Sequence, residues 1–183
     1  MEDILLSYLD RSGILLCNRD ADLPCLEDIG CAWGDVTALL DRQALFYCKL
    51  YRGRTTYLSR KAYYLLRAVR GERKTLTPAA ARVYELLLQA PGAETDFLKP
   101  LSGLCGKDFR DGLNFLLRHL YATAVGNGTA INANWSTFRY AAAEVWEAQA
   151  PNVYDCPDPA GRLLALLGRT MPEKRVLAMI KGG

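Results

Sequence analysis

The side chains in this chain with the most chemistry to offer are its arginines and lysines, and they are unevenly spread. Residues 42–82 hold eleven of them against one acid, Glu72, a net charge of +10. Residues 1–41 hold two against nine acids, a net −7, and residues 83–183 balance ten against ten. The overall +3 conceals this division. A block of such density attracts a polyanion by releasing its counterions. Arg52-Gly53-Arg54, followed by Thr55, Thr56 and Ser59, offers the donor types that meet phosphate oxygens. Lys49, Arg52, Arg54, Arg60 and Lys61 are therefore candidate contacts to DNA. The same counts admit a second reading, in which the acidic segment folds over the basic one and leaves a neutralised, solvated face.

Other chemistries find less to work with. His119 is the single histidine, so a histidine-based hydrolase would have to use it. It stands beside Leu116, Leu117 and Leu120 on an expected helix, where it reads as a flanking or helix-end residue. Asp108 and Asp111 stand three apart on that helix, but Lys107 and Asp111 have the spacing of an ordinary surface pair. No metalloprotease, Walker or dinucleotide motif occurs. The six cysteines are irregularly spaced without a C-x-x-C pair and are expected to be buried free thiols. A zinc site from Cys17, Cys25 and Cys31 would lack the usual close ligand pair. No catalytic residue, metal or cofactor is expected.

These residues need elements to hold them. Helices are expected over Glu2 to Leu9, over Trp33 to Tyr51 with an interruption at Gln43, and from an N-cap at Ser59 to Val69. Ile14-Leu15-Leu16 and Thr55 to Leu58 are strand-like. Thr77-Pro78 opens a helix carrying Val83, Leu86 and Leu87. A shorter one runs from Thr95 to Leu101, and a third places Phe109, Leu113, Leu116, Leu117 and Leu120 on one face. Gly126-Asn127-Gly128 reads as a primed turn joining two strands, the second alternating through Thr129, Ile131, Ala133 and Trp135. Three helices and a hairpin make a winged helix-turn-helix plan. Helices are again expected over Arg139 to Gln149, around Leu163 to Leu167, and after Pro172. The expected chain is mainly α with a small β-hairpin: residues 1–75 an acidic arm and basic helical segment, 76–135 the winged helix-turn-helix, 136–183 flanking C-terminal helices.

Two stretches carry a family likeness. In the first, Trp33, Asp35, Tyr47, Lys49, Leu50, Arg52, Gly53, Thr56 and Ser59 fall in the order of a Tyr-x-Lys-Leu-x-Arg-Gly segment followed by Thr-x-x-Ser. The second runs from Leu76 to Gly126. Together they resemble the AlkZ-type bacterial winged-helix DNA glycosylases, departing at Gly34, where a second aromatic is usual. The resemblance implies DNA binding, and in the full enzymes excision of alkylated bases with a Gln-x-Gln or Gln-x-Asp motif. Gln43, Gln89 and Gln149 stand in no such motif. The full enzymes are also longer tandem-unit chains, so catalysis is not carried over.

The expected function is a non-catalytic, DNA-binding winged-helix protein acting on duplex or damaged DNA. A minimal glycosylase and a winged helix used for assembly, with itself or a protein partner, are the alternatives. On the outer face of the third helix, Lys107, Arg110, Asn114 and Arg118 are further DNA candidates, because Arg and Asn make the common bidentate base contacts. The tyrosines Tyr47, Tyr51, Tyr57, Tyr63 and Tyr64 could stack on unpaired bases, although their spacing fits a core. The first residues lack a secretory pattern and no apolar run spans a bilayer, which leads to a cytoplasmic expectation.

Overall fold

The computed structural model describes residues 2–132 and 135–181. In chain order it has α1 (Glu2–Ser12), β1 (Ile14–Leu16), a 3₁₀ turn at Glu27–Ile29, α2 (Trp33–Asp41), β2 (Leu45–Cys48), β3 (Thr56–Ser59) and α3 (Arg60–Arg70). Then follow α4 (Pro78–Gln89), β4 (Ala93–Glu94), α5 (Thr95–Ser102), α6 (Gly106–Arg118), β5 (Ala122–Asn132), β6 (Trp135–Ala142), α7 (Ala143–Gln149), α8 (Pro159–Leu167) and α9 (Glu173–Ile180).

The strands form two antiparallel three-stranded sheets, ordered β1-β3-β2 and β4-β6-β5. This overturns the expectation of a mainly α chain with one small hairpin. With 51% helix and 18% strand in two separate sheets, the class is mixed α and β. Among the described residues no helix is long and apolar enough to cross a membrane.

The first sheet was hidden because it is buried on both faces. Leu15, Leu45, Tyr47 and Tyr57 join a core with α1, α2, α4 and α6. Ile14, Leu16, Phe46, Cys48 and Leu58 point into a second core with α3, α7, α8 and α9. A strand covered on both sides reads as a continuous apolar run, here Leu45-Phe46-Tyr47-Cys48, and such a run mimics a buried helix. The expected helix over Trp33 to Tyr51 therefore stops at Asp41; Gln43 takes a left-handed φ of 46°, and the chain continues as strand.

The hairpin also differs. Gly126 and Gly128 lie inside β5 and have no positive φ, so no primed turn forms there. The register shifts at both places, and added side chains would run into Arg139 and Asp41 at Gly126, or Thr137 and Glu94 at Gly128. These glycines allow a bulged strand and close side-chain approach. The pairing of β5 with β6 extends out to Asn132↔Trp135; Ala133 lies outside the described residues. Residues 139–142, expected to start a helix, instead continue β6 against Ala122 to Gly126, and α7 begins at Ala143.

Local signals set the helix starts. Ser59 caps α3 by accepting from the Ala62 amide at 3.1 Å, and Thr77 caps α4 by accepting from Ala80 at 3.2 Å, with Pro78 next. α5 begins at Thr95, with Glu94 at the cap, and runs to Ser102, one residue past the expected end. Gly112 sets the approach of α6 to α4: a Cβ there would stand 2.9 Å from the Ala79 carbonyl. Gly112→Ala should therefore cost about 1–3 kcal/mol by overpacking backbone, partly offset by the roughly 1 kcal/mol that alanine gains in a helix. Urea unfolding checks this; an unchanged midpoint would mean the crossing has slack.

Candidate anion-binding cleft

Three helices end together. The C-terminal turns of α3, α6 and α9 bring Arg70, Arg118 and Met179 to one cavity of about 580 Å³, closed by the turn Leu50 to Gly53 between β2 and β3. Helix C-termini carry partial negative charge, which explains cations at the ends of α3 and α6. The cleft goes beyond that compensation: its wall also holds Arg52, Lys74, His119 and Arg175, and no acid. A second cavity of about 470 Å³ shares Arg70, Lys74 and His119 and adds Arg67, Arg73 and Lys181, with Glu72 its one acid. The two cavities lie against the same three residues, and both are rich in cations.

How each cation is held decides what it can do. Arg70 is part-buried and donates from Nε at 3.1 Å and Nη2 at 2.5 Å to the Met179 carbonyl. No carboxylate pairs with it among the described residues; burial, with Arg67 adding to it and the Cys48 thiol opposing, pulls its pKa below the ordinary value. Arg118 and Lys74 likewise have no carboxylate partner among the described residues, and both are exposed. Arg175 donates to the Tyr51 hydroxyl at 2.7 Å and shares Asp22 with Arg52, which lies 3.2 Å from that carboxylate. Burial first, then Lys74, Arg70 and Arg118, hold the His119 imidazole below its ordinary value. A wall of like charges with so little counter-charge is a site that an anion relieves.

The turn at Arg52 and Gly53 is specialised. Both residues are left-handed, with φ of 51° and 72°. An arginine in that region is strained by about 1 kcal/mol, and such strain collects at functional positions. A Cβ on Gly53 would stand 2.7 Å from Arg118 Nη2. Gly53→Ala is expected to displace the Arg118 guanidinium and weaken anion binding several-fold, beyond its cost in stability. Unaltered affinity at equal folded fraction would show that Arg118 is free to move aside.

The candidates read from sequence divide. Arg52 and Arg118 reach the cleft. Lys49 is beside it, but its ammonium donates to Asn114 Oδ1 at 2.7 Å and its amide to the Leu117 carbonyl at 3.1 Å. Burial and then Arg118 pull the Lys49 pKa down. Thus Lys49 and Asn114 dock α6 against the β2 end. Arg54 is bound to Asp20 and to the Arg19 carbonyl, and Arg60 donates to the Gln43 carbonyl at 2.8 Å. Lys61 sits half-buried on α3, away from the wall. Lys107 pairs with Asp111 at 3.0 Å, and Arg110 is exposed on the same face of α6. So the acidic segment does cover part of the basic one, through Glu2 with Arg42, Asp20 with Arg54 and Asp22 with Arg52.

Arg70, Lys74 and Arg175 were not singled out from sequence as contacts. Arg70-x-x-Arg73-Lys74 at a helix end was the available signal; Arg175 had none, since only the fold brings α9 here. The five tyrosines are buried, Tyr57 and Tyr63 completely, and are core rather than stacking platforms. No cysteine is in a disulfide; Cys25, Cys31 and Cys48 are buried as expected, but Cys17 and Cys156 are half-buried and Cys105 is exposed at the α6 cap. Among the described residues no group of three His, Cys, Asp or Glu side chains is placed to hold a metal ion.

A larger cleft of about 820 Å³ opens by Trp33, Asn18, Asn127 and Ser136, but its charged lining is only Arg19 with Glu27, paired at 3.3 Å. No family model matches the chain, and searches of curated proteins and of solved structures return no match.

Proposed function

We propose that this protein binds DNA by its phosphates in the basic groove, as a binding module rather than an enzyme. Residues 78–142 are read as a winged-helix unit of the AlkZ-related kind, presenting the C-terminal end of α6. The order α4-β4-α5-α6-β5-β6 with sheet order β4-β6-β5 supports that reading. The observation that carries the function is the cleft wall itself: Arg52, Arg70, Lys74, Arg118 and Arg175 facing one cavity with no acid among its lining residues.

Phosphate contacts from the groove mean salt-dependent binding. For about four or five neutralised phosphates, log K against log salt should fall with a slope of about −4. Anisotropy titrations of a labelled duplex across a salt series measure it. A flat dependence, or no binding at low salt, would remove the proposal.

Assembly has one observation of its own: Phe97 and Leu101 on α5 are 58% and 49% exposed. A mass that rises with concentration in sedimentation, and is lost in Phe97→Ser, would favour it.

A further inference from the structure

Resting on the DNA-binding reading, we infer that the cleft takes the end of a nucleic-acid strand, gripping a terminal phosphomonoester rather than the diesters inside a duplex. The shape of the basic surface argues for this. A continuous backbone presents single charges in a row and asks for a ridge or stripe of cations. Here the cations converge on a bowl. The second cavity shares Arg70, Lys74 and His119 with it, while its Arg67 and Arg73 are drawn to Glu147 and Glu144. Arg52, Gly53 and Arg175 also line the bowl, with Asp22 and Tyr51 tying those arginines in place. A strand can lie along the second cavity and stop in the first.

The charge also fits. A phosphomonoester carries about −1.5 to −2 at neutral pH and offers three acceptor oxygens, where a diester carries a single charge. Five permanent cations line the bowl; Asp22 pairs with Arg52 and Arg175, and Asp20 also acts on Arg175, while Arg70, Lys74 and Arg118 have no carboxylate partner among the described residues. Arg70 is the anchor: its part-buried guanidinium spends Nε and Nη2 on the Met179 carbonyl, leaving Nη1 as its remaining nitrogen. Arg118 and Lys74 bring exposed charge to the same space. α3 and α6 present their C-terminal turns, which offer no free amides, and the first turn of α9 contributes Arg175, so the donors named here are side chains.

The test compares one duplex sequence with 5′-phosphate, 3′-phosphate or hydroxyl ends, together with a closed circle of the same DNA. Inorganic phosphate and a mononucleotide serve as free competitors. A phosphorylated end is expected to bind roughly tenfold tighter than a hydroxyl end, since it adds a charge where the cations converge. Arg118→Ala, an exposed change that leaves the core intact, should reduce that preference to near unity; Lys74→Ala should lower it in part. Inorganic phosphate in excess should abolish the preference for the phosphorylated end. Equal affinity for all ends and for the circle overturns the inference and leaves the DNA-binding reading standing. Binding of inorganic phosphate or mononucleotide with no binding of any DNA overturns both.

Discussion

Replacing Arg73 by alanine should destabilise the protein by about 2–3 kcal/mol. Arg73 sits in the linker between α3 and α4, next to Lys74 of the cleft, its side chain 16% exposed, paired with Glu144 and 3.9 Å from Glu147. The Tyr63 hydroxyl donates to the same Glu147 at 2.5 Å, and the Arg73 guanidinium lies 4.8 Å from the Tyr121 ring centroid. Removing one partner of a fully buried pair costs about 3–5 kcal/mol because the other charge is stranded; Glu144, 42% exposed, recovers part of that from water. The lost cation–π contact adds roughly 0.5–1 kcal/mol. Denaturant unfolding measures the sum, and a loss under 1 kcal/mol would mean that water already satisfies the cluster.

The same cluster sets a pH dependence with a definite sign. Burial alone would raise the Glu144 pKa, but its own backbone amide, Arg73 and Tyr84 outweigh it and hold the carboxyl below the ordinary value. A depressed carboxylate contributes stability that is present above its unfolded pKa and is lost as pH falls through the folded value. The gap between wild type and Arg73→Ala should therefore narrow below about pH 4.5. A gap that holds constant into acid would place the effect in packing instead.

Arg70→Ala combined with Arg118→Ala should weaken DNA binding by about 2–3 kcal/mol, or 30- to 150-fold at low salt. Both guanidiniums line the cleft and have no carboxylate partner among the described residues, so their charge is available to a phosphate. By contrast, Arg54→Ala and Arg60→Ala should change affinity less than about twofold and act on stability, since these side chains already serve Asp20 and the Gln43 carbonyl. Losses of similar size from the two sets would return the binding surface to the whole basic segment.

That contrast shows what a linear reading reaches. The charge split was visible residue by residue, and so were the caps at Ser59 and Thr77 and the apolar face of α6, because each depends on neighbours within a turn or two. Which arginines remain available was not visible. Arg52 and Arg54 are two positions apart in one motif, yet Arg52 lines the cleft while Arg54 closes on Asp20 and the Arg19 carbonyl. Arg70 and Arg175 are distant in sequence and meet only because α3 packs on α9. The double-faced sheet escaped for a related reason: Leu45 to Cys48 carries no polar alternation once both faces are covered.

The most direct measurement of the central claim is the salt slope of DNA binding in wild type and in the Arg70→Ala/Arg118→Ala protein, side by side. If these two arginines neutralise phosphates in the cleft, removing them releases about two fewer counterions, and the slope should become shallower by about 1.8. A double variant that binds DNA with the wild-type slope would contradict the account.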